Sequence, residues 1–388
     1  MTSLAFALRV LPIPRLHVRT LLVVVALGSI FVINVFGFTD PDFWWHVRTG
    51  QYIVETRSIP HTDLFSYTAF GKPWITHEWV SQILMYLLHD NLGYWGNVVF
   101  FAAIVTLTFF LLFKLVVKVG VNEILAICLV FLSALIARPF FTVRPLAFTW
   151  LFFVLFLFLL YSYHRGQVRH LWALPLLMVL WINLHGGFFI GLLLIAMLIA
   201  TRLAERLLFR RQAQVRHLIV IFGLSLLACL ANPNGYLGLA YPISYMGVSN
   251  PSARLISEWQ SPDFHNYYWL LLLVPMFVTM ALGLWSRSMG LWPLLLTILL
   301  VTMGLQSVRH IPLYALAAAP ILGEALKSRY ALAASSLRPP QSASLYSLNS
   351  LLLVLLLALA IVFVWKLPYS QMHQAPLLAG GFSYPEEG

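Results

Sequence analysis

Three observations predict an all-α, polytopic membrane fold. The 388-residue chain is 61% hydrophobic and only 10% charged, with a mean hydropathy of +0.85. A water-soluble chain of this size cannot bury that much apolar surface. Apolar runs of ~18 residues recur along it, the length needed to cross a bilayer. Alternating strand patterns are absent, so backbone groups in lipid must be satisfied within helices. The runs predict about eleven transmembrane helices, with two amphipathic interfacial helices in the first outer loop.

Arg9, Arg15 and Arg19 place the amino end inside, because Lys and Arg concentrate in cytoplasmic segments. Leu21–Phe38 crosses outward; no small-residue cleavage site follows it, so it reads as a retained helix. Residues 39–95 form the first outer loop. Gly96–Val119 returns to Lys114 and Lys118, and Leu125–Ile136 crosses out to a tight turn between Arg138-Pro139 and Arg144-Pro145. Leu146–Tyr163 comes back to the basic stretch His164–His170. Leu171–Leu184 goes out and Phe188–Ala204 returns to Arg202, Arg206, Arg210, Arg211 and Arg216. His217–Ala231 leads to the second outer loop, 232–267, where Asn232-Pro233-Asn234-Gly235 reads as a turn. Tyr268–Trp285 returns, Gly290–Leu305 goes out, and Ile311–Leu326 returns. Ala331–Asn349 is a linker, Asn349–Trp365 the last span, and 367–388 a short outer tail. Residues 1–366 read as one transmembrane domain.

This topology places 16 of the 24 Lys and Arg inside, with only 3 of the 13 acids. Acids gather outside, so a site that needs carboxylates faces outward. The same bias explains the net charge of +11 without nucleic acid as a partner. Cys128 and Cys229 lie in apolar runs and read as small core residues rather than a disulfide or metal pair.

In the first outer loop, Phe43, Val47, Gly50 and Val54 fall on one helical face and Arg48, Gln51 and Glu55 on the opposite one. Ile59-Pro60 ends that helix, and Gly71-Lys72-Pro73 makes a turn. A second amphipathic stretch runs from Trp74 to His89. Trp79, Ile83, Leu84 and Leu87 form its apolar face; Glu78, Ser81, Gln82 and His89 form a polar stripe. Asp40 and Asp42 sit where the chain leaves its first span, beside Trp44, Trp45, His46 and Arg48. Carboxylates there can act as bases or metal ligands, although Asp is also common in turns and caps. His46, His61, His77 and His89 show no i, i+4 pair, and His77-Glu78 lacks a second His for a zinc motif, so no metal ligands are assigned.

Asp42-Phe43-Trp44-Trp45-His46-Val47-Arg48 resembles the D-P-W-F-N-Y-R pattern of oligosaccharyltransferase catalytic subunits, matching its Asp, aromatic pair and Arg in register. These belong to the GT-C superfamily of membrane glycosyltransferases, with protein O-mannosyltransferases and aminoarabinose transferases. Gly50-Gln51-Tyr52-Ile53, Ile59-Pro60, Gly71-Lys72-Pro73-Trp74 and His77-Glu78-Trp79 resemble uncharacterised bacterial relatives. The resemblance covers about residues 38–96, with a scattered match over Trp181-Ile182-Asn183-Leu184-His185-Gly186-Gly187. It implies an inverting enzyme of a bacterial plasma membrane, its site outward. A sugar would move from a polyprenyl-phosphate donor to an acceptor, with Asp42 as the catalytic base.

Ser257-Glu258-Trp259 resembles, with different spacing, the region where oligosaccharyltransferases place an acceptor-side glutamate. Asp40 and Glu258 therefore join Asp42 as catalytic candidates. The resemblance also suggests a divalent cation, Mg or Mn, near Asp40 and Asp42. The turn from Arg138 to Arg144, however, lacks the acids that oligosaccharyltransferases use there to complete a metal site. Its arginines suit lipid-phosphate oxygens, as do Arg309-His310 and Lys72. Trp44, His46, Arg48, His77, Glu78 and His185 complete the candidate substrate contacts. Membrane lipids and partner subunits are further expected associates. Two other readings stay open: a non-catalytic membrane subunit on the same scaffold, and a transporter. Midplane charges and internal repeats, the marks of a transporter, are not evident.

Overall fold

The computed structural model describes residues 17–35, 40–210, 215–245, 256–285 and 290–330. The chain divides into two compact units, Leu27–Ser335 and a second made of Met1–Ala26 with Ser336–Gly388. The linker, the last span and the outer tail expected from the sequence lie outside the described residues.

Among the described residues the chain is helical, with no strand beyond one isolated bridge between Thr62 and Pro73. The longer helices are α1 (Val18–Val35), α2 (Phe43–Thr56), α3 (Trp79–Val119), α4 (Glu123–Ala137), α5 (Leu146–His164) and α6 (Ala173–Leu184). They continue as α7 (Phe188–Phe209), α8 (Arg216–Ala228), α9 (Tyr236–Tyr245), α10 (Tyr267–Trp285), α11 (Leu291–Gln306) and α12 (Ile311–Tyr330). Short 3-10 turns cover Arg138–Phe140, Ser257–Trp259 and Val308–His310. Five segments are long and apolar enough to cross a membrane: α1, α3, α4 with its following turn, α5 and α7. Helices α6, α8, α10 and α11 are apolar but shorter.

Helix α12 packs against α3, α4, α5, α10 and α11. Its run Ala315, Ala317, Ala318 and Ala319 is buried, and small side chains let neighbouring helix backbones come close where lipid supplies no hydrophobic drive. Two cross-helix bonds fix its register. Ser133 Oγ donates to the Ala315 carbonyl at 2.7 Å, and the Thr279 and Tyr314 hydroxyls lie 3.0 Å apart. Trp150, Trp181 and Trp292 are fully buried between helices.

The first outer loop departs from its sequence reading in three ways. Helix α2 buries Phe43, His46, Val47, Thr49, Gly50 and Ile53, while Val54 is exposed. The buried face is thus turned toward His46 and Ile53, because Gly50 lies directly on α3, where a Cβ would collide with the Gln82 carbonyl. The second amphipathic stretch begins helically at Trp79, not Trp74, and runs on into the following span as one segment. Only Gly93, with φ 66° and ψ −167°, breaks it, a conformation open to glycine alone. The polar stripe is also less open than its pattern suggests: Glu78, Ser81 and Gln82 are buried against the protein, whereas Trp79, Ile83 and Leu84 are half-buried and Leu87 is exposed.

In the second outer loop the structure adds α9 and the Ser257–Trp259 turn, where the sequence suggested only connection. Both cysteines are free; Cys229 is buried, whereas Cys128 is exposed on the helix surface rather than in the core.

Candidate functional site

Arg144 gathers three of the carboxylates singled out in the sequence. The chain enters α2 with the Asp42 backbone N–H donating to Asp40 Oδ1 at 2.9 Å. Asp42 occupies the N-cap position, yet its side chain caps nothing. Its carboxylate instead accepts from Arg144 Nη2 at 2.5 Å. Arg144 Nη1 donates to Glu258 Oε1 at 2.9 Å and lies 3.7 Å from Asp40 Oδ2. The Asp40 side chain is almost fully enclosed, whereas those of Asp42 and Glu258 are about a third exposed, at 34% and 32%. Burial pushes the Asp40 carboxyl up, against the pull of Arg144 and of the Asp42 N–H.

Glu258 is held by the turn that precedes α12. Its carbonyl accepts from Ser307 Oγ at 2.7 Å, and the Gln260 carbonyl accepts from the Val308 N–H at 3.0 Å. The same turn brings Arg309 over the Trp259 ring, 4.9 Å from its centre, and within 3.9 Å of Glu258 Oε2. Asp40, Asp42, Arg144, Glu258 and Arg309, drawn from four segments, thus form one group.

A second group surrounds Glu78. His185 Nε2 and His77 Nε2 lie 3.3 and 3.5 Å from Glu78 Oε1, and His46 Nδ1 lies 3.6 Å from Oε2. The ring of His185 is oriented from behind. The Gly187 N–H donates to its Nδ1 at 2.9 Å, so the neutral ring carries its proton on Nε2, toward Glu78. The Thr149 hydroxyl lies 2.7 Å from the same Nδ1 and accepts from Trp181 Nε1 at 3.0 Å. A Cβ at Gly187 would collide with the Thr149 side chain. His77 Nδ1 faces the Ile75 carbonyl at 3.2 Å, which can only accept, so this nitrogen donates. The His77 ring packs on Tyr241 of α9, with centres 4.3 Å apart.

Burial pushes the Glu78 carboxyl up, but His77, His185 and His46 outweigh it and hold the group well below the usual carboxylate range. Burial pushes His46 down to about 4, against Glu78 and Asp42, and His185 down to about 3, against Glu78. His46 links the two groups: it lies one helical turn after Asp42, and its N–H donates to the Asp42 carbonyl at 3.2 Å.

Beside the second group lies an apolar cavity of about 340 Å³, lined by Trp79, Val80, Val179, Leu180, Leu184 and Pro233 with Asn183 and Asn232. Both amides are already engaged. Asn183 accepts from Trp79 Nε1 at 2.7 Å and donates to the Val179 and Ala231 carbonyls; Asn232 donates to the Cys229 and Gly235 carbonyls. The cavity therefore offers apolar contact, and its lining residues Trp79 and Leu184 directly adjoin Glu78 and His185 in the chain.

The other predicted contacts are placed differently. Arg48 is exposed on the far face of α2 and donates to Gln51 at 2.7 Å, which in turn donates to Glu55 at 2.8 Å. Lys72 and Arg138 are exposed and form no ion pair among the described residues. Trp44 is half exposed, edge-on to Phe43 and His89. His310 has a buried Nδ1 without a hydrogen bond among the described residues, and burial pushes it down to about 4. Arg144, expected to meet lipid phosphate, binds the Asp42 and Glu258 carboxylates. At Asp40 and Asp42, where a divalent cation was expected, the Arg144 guanidinium meets one carboxylate and lies 3.7 Å from the other, and no group of three or more His, Cys, Asp or Glu side chains among the described residues is arranged to hold a metal ion.

Thr149 and Tyr241 join the site without having been anticipated, and Trp259 joins it beside Glu258, within the Ser257-Glu258-Trp259 stretch. Thr149 carries a faint signal, as a hydroxyl among apolar residues in the first turn of Leu146–His164; Tyr241 carries none. No model of a known protein family matches the chain, and no curated protein matches it.

Proposed function

We propose that the chain is an outward-facing membrane glycosyltransferase that moves a sugar from a polyprenyl-phosphate donor to an acceptor. In this reading it has about eleven spans in a bacterial plasma membrane, with the amino end cytoplasmic. The observation that carries it is the meeting of Asp42 and Glu258 on one guanidinium beside Arg309, with an apolar cavity at the Glu78 group that His46 joins to it. An amphiphile with an anionic head needs these features side by side.

Asp42 acts as the base. Its carboxylate takes the proton of the acceptor hydroxyl or amine as that atom bonds to the anomeric carbon. The bond from that carbon to the phosphate oxygen breaks on the opposite face, and its electron pair leaves with the phosphate. The configuration inverts. Arg144 orients Asp42 and Glu258 across the acceptor path. Arg309, whose nearest carboxylate oxygen is 3.9 Å away, is less tightly engaged by carboxylates than Arg144 and is the one to meet the phosphate. The isoprenoid chain follows the apolar cavity beside Glu78 and His185.

The test offers purified protein labelled polyprenyl-phosphate sugars with a panel of acceptors. Wild type transfers label, and Asp42→Asn, which keeps the shape and removes the charge, loses ~10²–10⁴-fold in rate. Equal transfer by both proteins, or none by wild type from any donor, overturns the reading.

A further inference from the structure

The position a divalent cation would take at this edge is filled by the protein itself. Asp40 and Asp42 come from the entry to α2 and Glu258 from the second outer loop. A metal ion joining them would sit between all three carboxylates, and the Arg144 guanidinium does so. One Nη meets Asp42, the other meets Glu258 at 2.9 Å, and Asp40 lies 3.7 Å from that second nitrogen. The planar fork spreads two donor edges over separate carboxylates, a bridging mode that an ammonium cannot copy. Glu258 has a second cation, Arg309, near its other oxygen. Three carboxylates therefore face two guanidiniums. Entry of a metal would require Arg144 to leave Asp42 and would set a largely enclosed guanidinium beside a doubly charged ion.

We infer that Arg144 is the resident cation of this carboxylate group, so that the site takes neither Mg²⁺ nor Mn²⁺. The inference goes beyond the sugar-transfer reading. It concerns what neutralises the acids, and it is measured by cation binding rather than by transfer, so either can fail without the other.

The experiment titrates purified full-length protein with Mn²⁺, reading bound metal by electron paramagnetic resonance and the unfolding midpoint with and without chelator. Wild type is expected to bind no stoichiometric Mn²⁺ and to show the same midpoint in both conditions. Arg144→Gln removes the charge, leaving Asp40 and Asp42 without a cation and Glu258 with Arg309 alone; it is expected to gain a stoichiometric Mn²⁺ that raises its midpoint. Adding Asp42→Asn to that variant removes the gain and locates the ion. Arg144→Lys keeps a positive charge and gains none. Stoichiometric Mn²⁺ on wild type that Asp42→Asn abolishes overturns the inference, as does a folded Arg144→Gln that binds no metal. Should Arg144→Gln fail to fold, the wild-type titration with its Asp42→Asn control decides alone.

Discussion

The Arg144 group and the Glu78 group solve one problem in two ways. Each encloses a carboxylate at the edge of a helical bundle, Asp40 in one and Glu78 in the other. The first is compensated by a guanidinium, which stays charged throughout the pH range of a folded protein. The second is compensated by three imidazoles, which do not. The lesson is that the two groups should answer to different perturbations: the first to loss of a side chain, the second to loss of pH.

The largest expected effect breaks the first group. Arg144→Ala leaves Asp40 enclosed and unpaired, and removal of one partner from a buried charge pair costs about 3–5 kcal/mol. Asp42 and Glu258 are a third exposed and add little, so the lower end of that range is expected in chemical or thermal unfolding. A loss below ~1 kcal/mol would show that the guanidinium is not what compensates Asp40.

Acidification should break the second group. His46 and His185 titrate near 6.5 when unfolded and are depressed to about 4 and about 3 in the fold. Between those values the unfolded chain binds more protons, so stability rises with pH and is lost as pH falls below about 6.5. From pH 6.5 to 5 each histidine removes ~2 kcal/mol. Glu78, whose carboxyl is held low, acts in the same direction only at lower pH, through its unfolded carboxylate range and below. Asp40 acts in the opposite direction, since its raised carboxyl loses stability as pH rises. His310, which burial also holds down to about 4, adds a third histidine contribution of the same sign, and the measured fall is the histidine sum less the Asp40 contribution. His185→Asn should reduce the fall by about a third; an unchanged slope would show that His185 does not contribute to it.

Two smaller changes sharpen the comparison. Gly50→Ala drives a methyl into the Gln82 carbonyl and should cost ~1–3 kcal/mol by lifting α2, and with it Asp42 and His46, from α3. Arg48→Ala, on the exposed face of the same helix, should stay within ~0.5 kcal/mol of wild type. Equal losses for the two would mean that α2 is not seated on α3 through Gly50.

Much of the fold was legible because apolar runs in lipid have one outcome. The sequence placed one helix over Leu146–Tyr163 and another over Phe188–Ala204, and the structure ends them at His164 and Phe209. Faces were harder. The pattern marked a polar stripe but not what it would meet; a helix at a membrane edge can turn that stripe toward the protein, and Ser81 and Gln82 face inward. Helix α9 was missed because Gly238 and Pro242 interrupt a short run. Asp40, Asp42, Glu258 and Arg144 were each singled out, yet nothing local says that residues more than a hundred positions apart will meet. Arg144 was assigned to phosphate because a guanidinium fork fits phosphate and carboxylate equally well, and only the fold decides between them.

The most direct measurement of the central claim compares transfer of labelled sugar by Asp42→Asn and Arg48→Ala, both checked for wild-type unfolding midpoints. Asp42→Asn is expected to lose ~10²-fold or more and Arg48→Ala to keep the wild-type rate. Transfer by a folded Asp42→Asn at the wild-type rate would contradict the claim.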